Sequence, residues 1–158
     1  MNLVLRRYVA VPAFLLLLFG AACSSNNDTS NSSSGSSTGS GPTTAAGGVG
    51  ATEKDFAITL DTSTASAGSV TFNINNQGPS THEFVVFKTD LAPDALPTTD
   101  KGIVDEEAKG LDHIDEVEDI AAGSSETLTT DLKPGSYVVI CNLPGHYQQG
   151  MHAPLTVS

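Results

Sequence analysis

Residues 135–151 read Gly-Ser-Tyr-Val-Val-Ile-Cys-Asn-Leu-Pro-Gly-His-Tyr-Gln-Gln-Gly-Met. An apolar run over residues 136–141 predicts a strand that ends at Cys141, and the Pro-Gly pair after it predicts a reversal of the chain. His146 and Met151 then follow at intervals of five residues. A loop this short can present a thiolate, an imidazole and a thioether to one ion. The segment therefore predicts a strand that leads into a metal-binding loop.

A second imidazole has to come from elsewhere in the chain, and His82 is the best candidate. His82 begins an extended apolar run over residues 82–87, and its side chain is expected to point the same way as Phe84 and Val86. Two imidazoles, one thiolate and a weak axial thioether form the ligand set of blue copper electron-transfer sites. The sequence therefore predicts one mononuclear copper ion with four ligands, His82, Cys141, His146 and Met151.

Each candidate ligand also has an ordinary structural explanation. These alternatives are an inert buried thiol for Cys141, a turn residue for His146, an edge-strand histidine for His82 and core packing for Met151. Zinc is an alternative metal, since Cys and His bind zinc well, but a thioether ligand favours copper. His113 and His152 are expected to be solvated, and Tyr137 is expected to be a structural residue of the fold.

The residues around the loop form short alternating runs separated by turns, which is typical of an all-β sandwich. Phe56, Ile58 and Leu60 are expected to share one face of a strand. The further predicted strands cover residues 70–74, 82–87, 127–132, 136–141 and 153–157. A long acidic insertion over residues 89–123, with a helical piece at residues 105–109, separates the upstream His strand from the Cys strand. Six to eight strands in about 106 residues predict a Greek-key β-sandwich.

The ligand loop resembles that of the cupredoxins, the family of plastocyanins, auracyanins and rusticyanins. The shared pattern is Gly-x-Tyr-x-x-x-Cys, followed by four residues before His and four more before Met. The resemblance covers residues 53–158 and implies a thiolate from Cys141, a loop imidazole from His146, an axial thioether from Met151 and the upstream imidazole from His82. Glu83 departs from the family, because many members have Asn after the upstream His, where it steadies the loop.

The first third of the chain is predicted to lie outside this domain. Residues 1–22 read as an export signal, with an apolar core of about 11 residues that is too short to span a membrane. The residues Gly-Ala-Ala before Cys23 resemble the cleavage box of bacterial lipoproteins, which predicts a lipid on Cys23. The alternative is an ordinary signal peptide that is cleaved nearby. Residues 23–52 are predicted to be a flexible linker rich in Ser, Gly and Thr, and residues 53–158 the domain.

Charge and cysteine content limit the function of the mature chain. Removal of the signal leaves five basic and eighteen acidic residues, which argues against nucleic acid as a partner and suits a basic protein such as a cytochrome or an oxidase. A lipid on Cys23 would leave Cys141 without a disulfide partner.

The predicted protein is a monomeric electron carrier, not an enzyme, anchored by lipid to the outer face of a bacterial membrane, in the periplasm or at the cell surface. The alternative function is copper storage, delivery or resistance in the cell envelope. A multicopper oxidase or nitrite reductase would need further metal centres, and the paired His-x-His motifs that bind them are absent from the sequence.

Overall fold

The computed structural model describes residues 48–158, so the predictions for the export signal, Cys23 and most of the linker lie outside the described residues. The described chain forms strands and one short 3-10 helix, and none of its helices is long and apolar enough to cross a membrane. The strands are β1 Val49–Lys54, β2 Ala57–Leu60, β3 Thr64–Ala65, β4 Gly68–Asn76, β5 His82–Lys88, β6 Asp112–Ile120, β7 Ser125–Leu132, β8 Gly135–Ile140 and β9 His152–Val157.

The strands form two mixed sheets that enclose one apolar core. The first sheet has the strand order β2-β1-β4-β7, and the second has the order β3-β9-β8-β5-β6. Within these sheets β1 pairs with β4, and β3 with β9, in parallel, whereas the other pairs are antiparallel. Phe72 of the first sheet and Phe84 of the second are fully buried, and their rings lie 5.2 Å apart. The predicted all-β sandwich is confirmed.

The second sheet is buried on both faces at β8. Tyr137, Val139 and Cys141 belong to the core between the sheets. Val138 and Ile140 belong to a second apolar cluster on the opposite face, which the segment between β5 and β6 covers. This double burial explains why β8 reads as a continuous apolar run instead of alternating with polar residues.

The predicted acidic insertion contains a strand that the sequence pattern does not show. Asp112–Ile120 forms β6, which pairs with β5 and is an edge of the second sheet. The helical piece predicted at residues 105–109 is wrong, since this segment consists of turns. The side chain of Asp105 accepts a hydrogen bond from the backbone of Glu107, which competes with helix formation, and Gly110 (φ 97°) turns the chain into β6.

Two further expectations differ from the structure near the start of the domain. β1 begins at Val49, ahead of Glu53, and its small residues Gly50 and Ala51 resemble linker composition in the sequence. Phe56 does not share a buried face with Ile58, because it lies in the turn between β1 and β2 and is 37% exposed. This turn places the Phe56 ring beside the loop that follows β8, where it contacts His146.

Candidate metal centre

Three of the four predicted ligands meet at one end of the sandwich. His82 begins β5, Cys141 follows β8 directly, and His146 precedes the 3-10 helix Tyr147–Gln149. Sγ of Cys141 lies 3.3 Å from Nδ1 of His146 and 3.8 Å from Nδ1 of His82, and the two Nδ1 atoms are 3.3 Å apart. Donor atoms that each lie about 2.0–2.3 Å from one tetrahedrally bound ion are as far from one another as these three atoms are. The three side chains could therefore hold a single ion.

Met151 is joined to the other ligands through its backbone. Its carbonyl accepts a hydrogen bond from the Cys141 backbone at 3.1 Å, and its own N–H donates to the His146 carbonyl at 3.2 Å. Gly145 (φ 80°) and Gly150 (φ 116°) adopt left-handed conformations that allow the two sharp reversals of this loop. The Met151 side chain is fully buried and belongs to the same apolar cluster as Cys141. The loop thus holds the backbone of Met151 beside that of Cys141, with both side chains in one apolar cluster.

The electrostatic environment of the site favours neutral donors when no metal is bound. Burial raises the pKa of Cys141 to about 12, and backbone hydrogen bonds from Glu83 and Leu143 oppose that rise. Burial, followed by repulsion from His82, lowers the pKa of His146. The imidazole of His146 is therefore ready to donate a lone pair at neutral pH, whereas the thiol must lose a proton before it can act as a thiolate ligand.

Glu83 occupies the position at which many cupredoxins have Asn, and it links the upstream His strand to the ligand loop. The backbone N–H of Asn142 donates to the Glu83 carboxyl group. Burial, and then repulsion from Glu116, raise the pKa of Glu83 to about 7. The carboxyl group therefore ties β5 to the ligand loop through the Asn142 backbone.

Two residues that follow ligands directly in the sequence hold the long segment between β5 and β6. The Asn142 side chain accepts a hydrogen bond from the Val104 backbone at 2.6 Å and donates to the Val104 carbonyl at 3.1 Å. The Tyr147 hydroxyl accepts from the Leu96 backbone at 2.8 Å and donates to the Pro93 carbonyl at 2.9 Å. The sequence-based prediction does not include these contacts. The only feature that could have indicated Asn142 and Tyr147 in the sequence is their position immediately after Cys141 and His146.

The sequence-based prediction also misses Asp55, which lies in the turn between β1 and β2 and contacts His82. Oδ1 of Asp55 is 3.0 Å from Nε2 of His82, the ring nitrogen that faces away from the thiol. The Ser80 hydroxyl donates to Oδ2 at 2.6 Å. This hydrogen bond is the largest of the influences that lower the pKa of Asp55, and the His82 ring adds to it, while burial opposes it.

The remaining histidines and Tyr137 lie outside the group formed by His82, Cys141 and His146. His113 is one-third exposed, and its Nε2 lies 3.8 Å from a carboxylate oxygen of Glu106 and 3.6 Å from one of Glu116. His152 is half-buried rather than solvated, because its ring packs against Tyr147 at 5.4 Å. The Tyr137 hydroxyl donates to the Lys133 carbonyl at 2.8 Å, which is a structural role, as expected.

The donor atoms of this centre indicate which metals it would prefer. A thiol, two imidazoles and a buried thioether residue combine soft and borderline ligands, which suit copper better than hard cations. Residues 50–158 match the family model described as "Sulfocyanin (SoxE) domain". The chain belongs to the sulfocyanin family of cupredoxins. As a cupredoxin, the sulfocyanin domain is a blue copper protein that binds one copper ion.

Solved structures share the fold of the sulfocyanin domain at low sequence identity. A dithionite-reduced auracyanin from Roseiflexus castenholzii is 23% identical, with 69% of this chain and 94% of that chain covered and a TM-score of 0.51. For auracyanin B the identity is 22%, the coverage 77% and 93%, and the TM-score 0.50. For a His-to-Met variant of rusticyanin the identity is 16%, the coverage 77% and 86%, and the TM-score 0.52. No curated protein sequence matches the chain significantly.

Proposed function

We propose that the sulfocyanin domain carries single electrons through one copper ion, with four protein ligands: Nδ1 of His82, Sγ of Cys141, Nδ1 of His146 and the sulfur of Met151. The observation that supports this proposal most directly is the meeting of the three nitrogen and sulfur donors, all within 4.8 Å of one another, on hydrogen-bonded backbone segments. Bound copper would supply the one-electron couple, and the protein would hold its ligands in place during the change of oxidation state.

The burial of the ligands favours electron transfer over copper storage or delivery. His82, Cys141 and Met151 are fully buried, whereas His146 is half-buried and contacts the exposed ring of Phe56 at 5.1 Å. A store has to release its ion, and an enclosed site with backbone ties between its ligands opposes release. Electrons can instead enter or leave by way of the His146 edge without movement of the ligands. Exchange of copper remains the alternative function, with the same four residues.

The first test is the addition of Cu(II) to the purified protein. We expect one equivalent to produce intense visible absorption from thiolate-to-copper charge transfer, and we expect Cys141→Ser to abolish it. Cys23→Ala is the matched control and should retain the colour. Met151→Leu should also retain the colour and raise the reduction potential, because the Cu(II) form loses a donor. A colourless native complex, or colour that persists in Cys141→Ser, would contradict the type 1 copper assignment.

We further infer that the protein is exported and attached by a lipid on Cys23 to the outer face of a bacterial membrane. The supporting observations are the export signal at residues 1–22 and the small residues before Cys23.

We infer that the redox partner of the protein is a basic protein, such as a cytochrome or an oxidase, because residues 90–119 carry eleven acidic residues against two lysines. We therefore propose a monomeric electron carrier in the cell envelope, and the ligand group and the acidic charge support the carrier role within this proposal.

A further inference from the structure

The side of His82 that faces away from the thiol makes a contact between the two sheets. His82 begins β5 in the second sheet, and Asp55 follows β1 in the first sheet. His82 Nε2 and Asp55 Oδ1 lie 3.0 Å apart, both atoms are buried, and neither forms a hydrogen bond with any other group among residues 48–158 or an aligned one with its neighbour in the pair. The two buried polar atoms therefore face each other without a competing partner, and the contact belongs to the fold as well as to the site.

The chemistry of this pair defines the position of the imidazole proton. A carboxylate oxygen can only accept a hydrogen bond, so the 3.0 Å contact is favourable when Nε2 of His82 carries the proton. The neutral imidazole then has its lone pair on Nδ1, which is the atom 3.8 Å from Sγ of Cys141. Histidine ligands of metals commonly have their other nitrogen tied to a carboxylate, which fixes the tautomer and the ring orientation.

The loop between β4 and β5 is shaped to let the pair form. A Cβ atom on Gly78 would lie 2.6 Å from Asp55 Oδ1 and 2.9 Å from His82 Nε2, so only glycine leaves room for both atoms. The Ser80 hydroxyl, in the same loop, holds the other oxygen of Asp55. The Asn76 side chain accepts from the Gly78 backbone at 2.9 Å and donates to the Ser80 carbonyl at 2.8 Å. Ser80 thus fixes the carboxylate, and Asn76 fixes the loop that carries Ser80.

We propose that Asp55 is a positioning residue for the copper centre, which holds His82 with its Nδ1 lone pair toward the metal and stabilises Cu(II) relative to Cu(I) by its negative charge. The proposal rests on the proposed function, since it takes His82 as a ligand. A negative charge one imidazole away from the ion stabilises the more positive oxidation state, and burial of the contact limits its screening by solvent.

Two variants of Asp55 separate the charge from the hydrogen bond. Asp55→Asn removes the charge but keeps an oxygen that can accept from Nε2, so we expect it to raise the reduction potential and keep the tautomer. Asp55→Ala removes both, so we expect mixed His82 tautomers and a fall of about 10–100-fold in Cu(II) affinity. If a variant loses ten times more affinity for Cu(II) than for Cu(I), its one-electron reduction potential rises by about 59 mV.

The tautomer can be measured without copper, by ¹⁵N NMR of the His82 ring in the metal-free protein. We expect a protonated Nε2 and an unprotonated Nδ1 in the native protein and in Asp55→Asn. Asp131→Asn is the control for charge, because Asp131 is exposed on β7 opposite Ser69, at the far end of β4 from Asn76. Its potential should stay close to that of the native protein.

Gly78→Ala tests the same contact without changing either partner. The new methyl group should push Asp55 and His82 apart, and we expect it to raise the potential and to weaken the preference for the Nε2-protonated tautomer. This variant keeps the proposal testable if the Asp55 variants do not fold. Protonation of Nδ1 in the native metal-free protein, or equal potentials for Asp55→Asn and Asp131→Asn, would overturn the positioning role. A native protein that gives no charge-transfer colour would instead contradict the proposed function.

Discussion

Glu53 is a buried acid close to the copper centre, and it has no evident partner. It is fully buried on β1, and neither of its carboxyl oxygens has a hydrogen-bond partner among residues 48–158. Burial, and then repulsion from Glu83, raise the pKa of Glu53 from its ordinary value of 4.5 to about 8. The side chain is therefore a neutral acid in the folded protein at pH 7, and its ionisation opposes folding.

This shift predicts that the stability of the copper-free protein falls as the pH rises. Between about pH 4.5 and pH 8 the folded state binds the Glu53 proton and the unfolded state does not, so the free energy of unfolding decreases across this window. Glu53→Gln keeps a neutral side chain of similar size and should flatten that decrease, which urea unfolding at pH 5, 6.5 and 8 would show. Glu126→Gln, at an exposed position on β7, should keep the native slope. If Glu53→Gln had the same pH slope as the native protein, the raised pKa of Glu53 would be contradicted.

The sequence indicates the proposed copper ligands but not the acids around them, for a physical reason. Cys141, His146 and Met151 are uncommon residue types at a defined spacing within one loop, so their chemistry can be recognised locally. Asp55 and Glu53 belong to a common residue type that is usually solvated. These two side chains reach their positions only when β1 packs against the second sheet. Such a contact is long-range, and it leaves no local pattern in the sequence.

At the scale of secondary structure, β6 differs most from the sequence-based prediction. Its partly buried apolar residues Ile114 and Val117 and its buried Ile120 recur every third residue, whereas a regular strand predicts every second. The pairing of β5 with β6 explains this spacing, since it contains two register shifts. Acidic side chains on this edge strand also hinder edge-to-edge pairing with another chain, which is a structural alternative to a role in docking.

The acidic surface of β6 predicts salt-dependent encounter with a basic redox partner. A variant with amides at Asp112, Asp115, Glu116, Glu118 and Asp119 should be reduced more slowly by a basic cytochrome at low ionic strength. The difference should shrink near physiological salt, where the Debye length is about 8 Å. Stopped-flow reduction of the Cu(II) protein across a salt series measures both rates.

A control for this comparison carries Glu126→Gln and Asp131→Asn, which remove charge from β7 in the other sheet. Its rates should remain close to those of the native protein. Equal rates and equal salt slopes for the β6 variant and the native protein would remove the docking role. Copper storage or delivery would then be the better explanation of an acidic copper protein, and the charge of β6 would be explained by protection of the sheet edge.

At the scale of the whole molecule, the proposed lipid anchor and the copper domain are predicted to be independent. About 25 residues separate Cys23 from β1, which begins at Val49, and a random coil of that length has a root-mean-square span of roughly 25–30 Å. Cys23→Ala should release the protein from membranes and leave its copper spectrum unchanged. Cys141→Ser should have the opposite effects, with loss of colour and retention at the membrane. A Cys23→Ala protein that remains in the membrane fraction would contradict the anchor.

The hydrogen bonds of Asn142 and Tyr147 give the copper loop a reporter that does not depend on colour. The backbone N–H groups of Val104 and Leu96 donate to these two side chains, each of which directly follows a proposed ligand. Opening of the loop would therefore expose both amides to hydrogen exchange with solvent, even though they belong to a distant part of the sequence. Their exchange rates follow the integrity of the loop in Cu(I) and metal-free protein, where the charge-transfer band is absent.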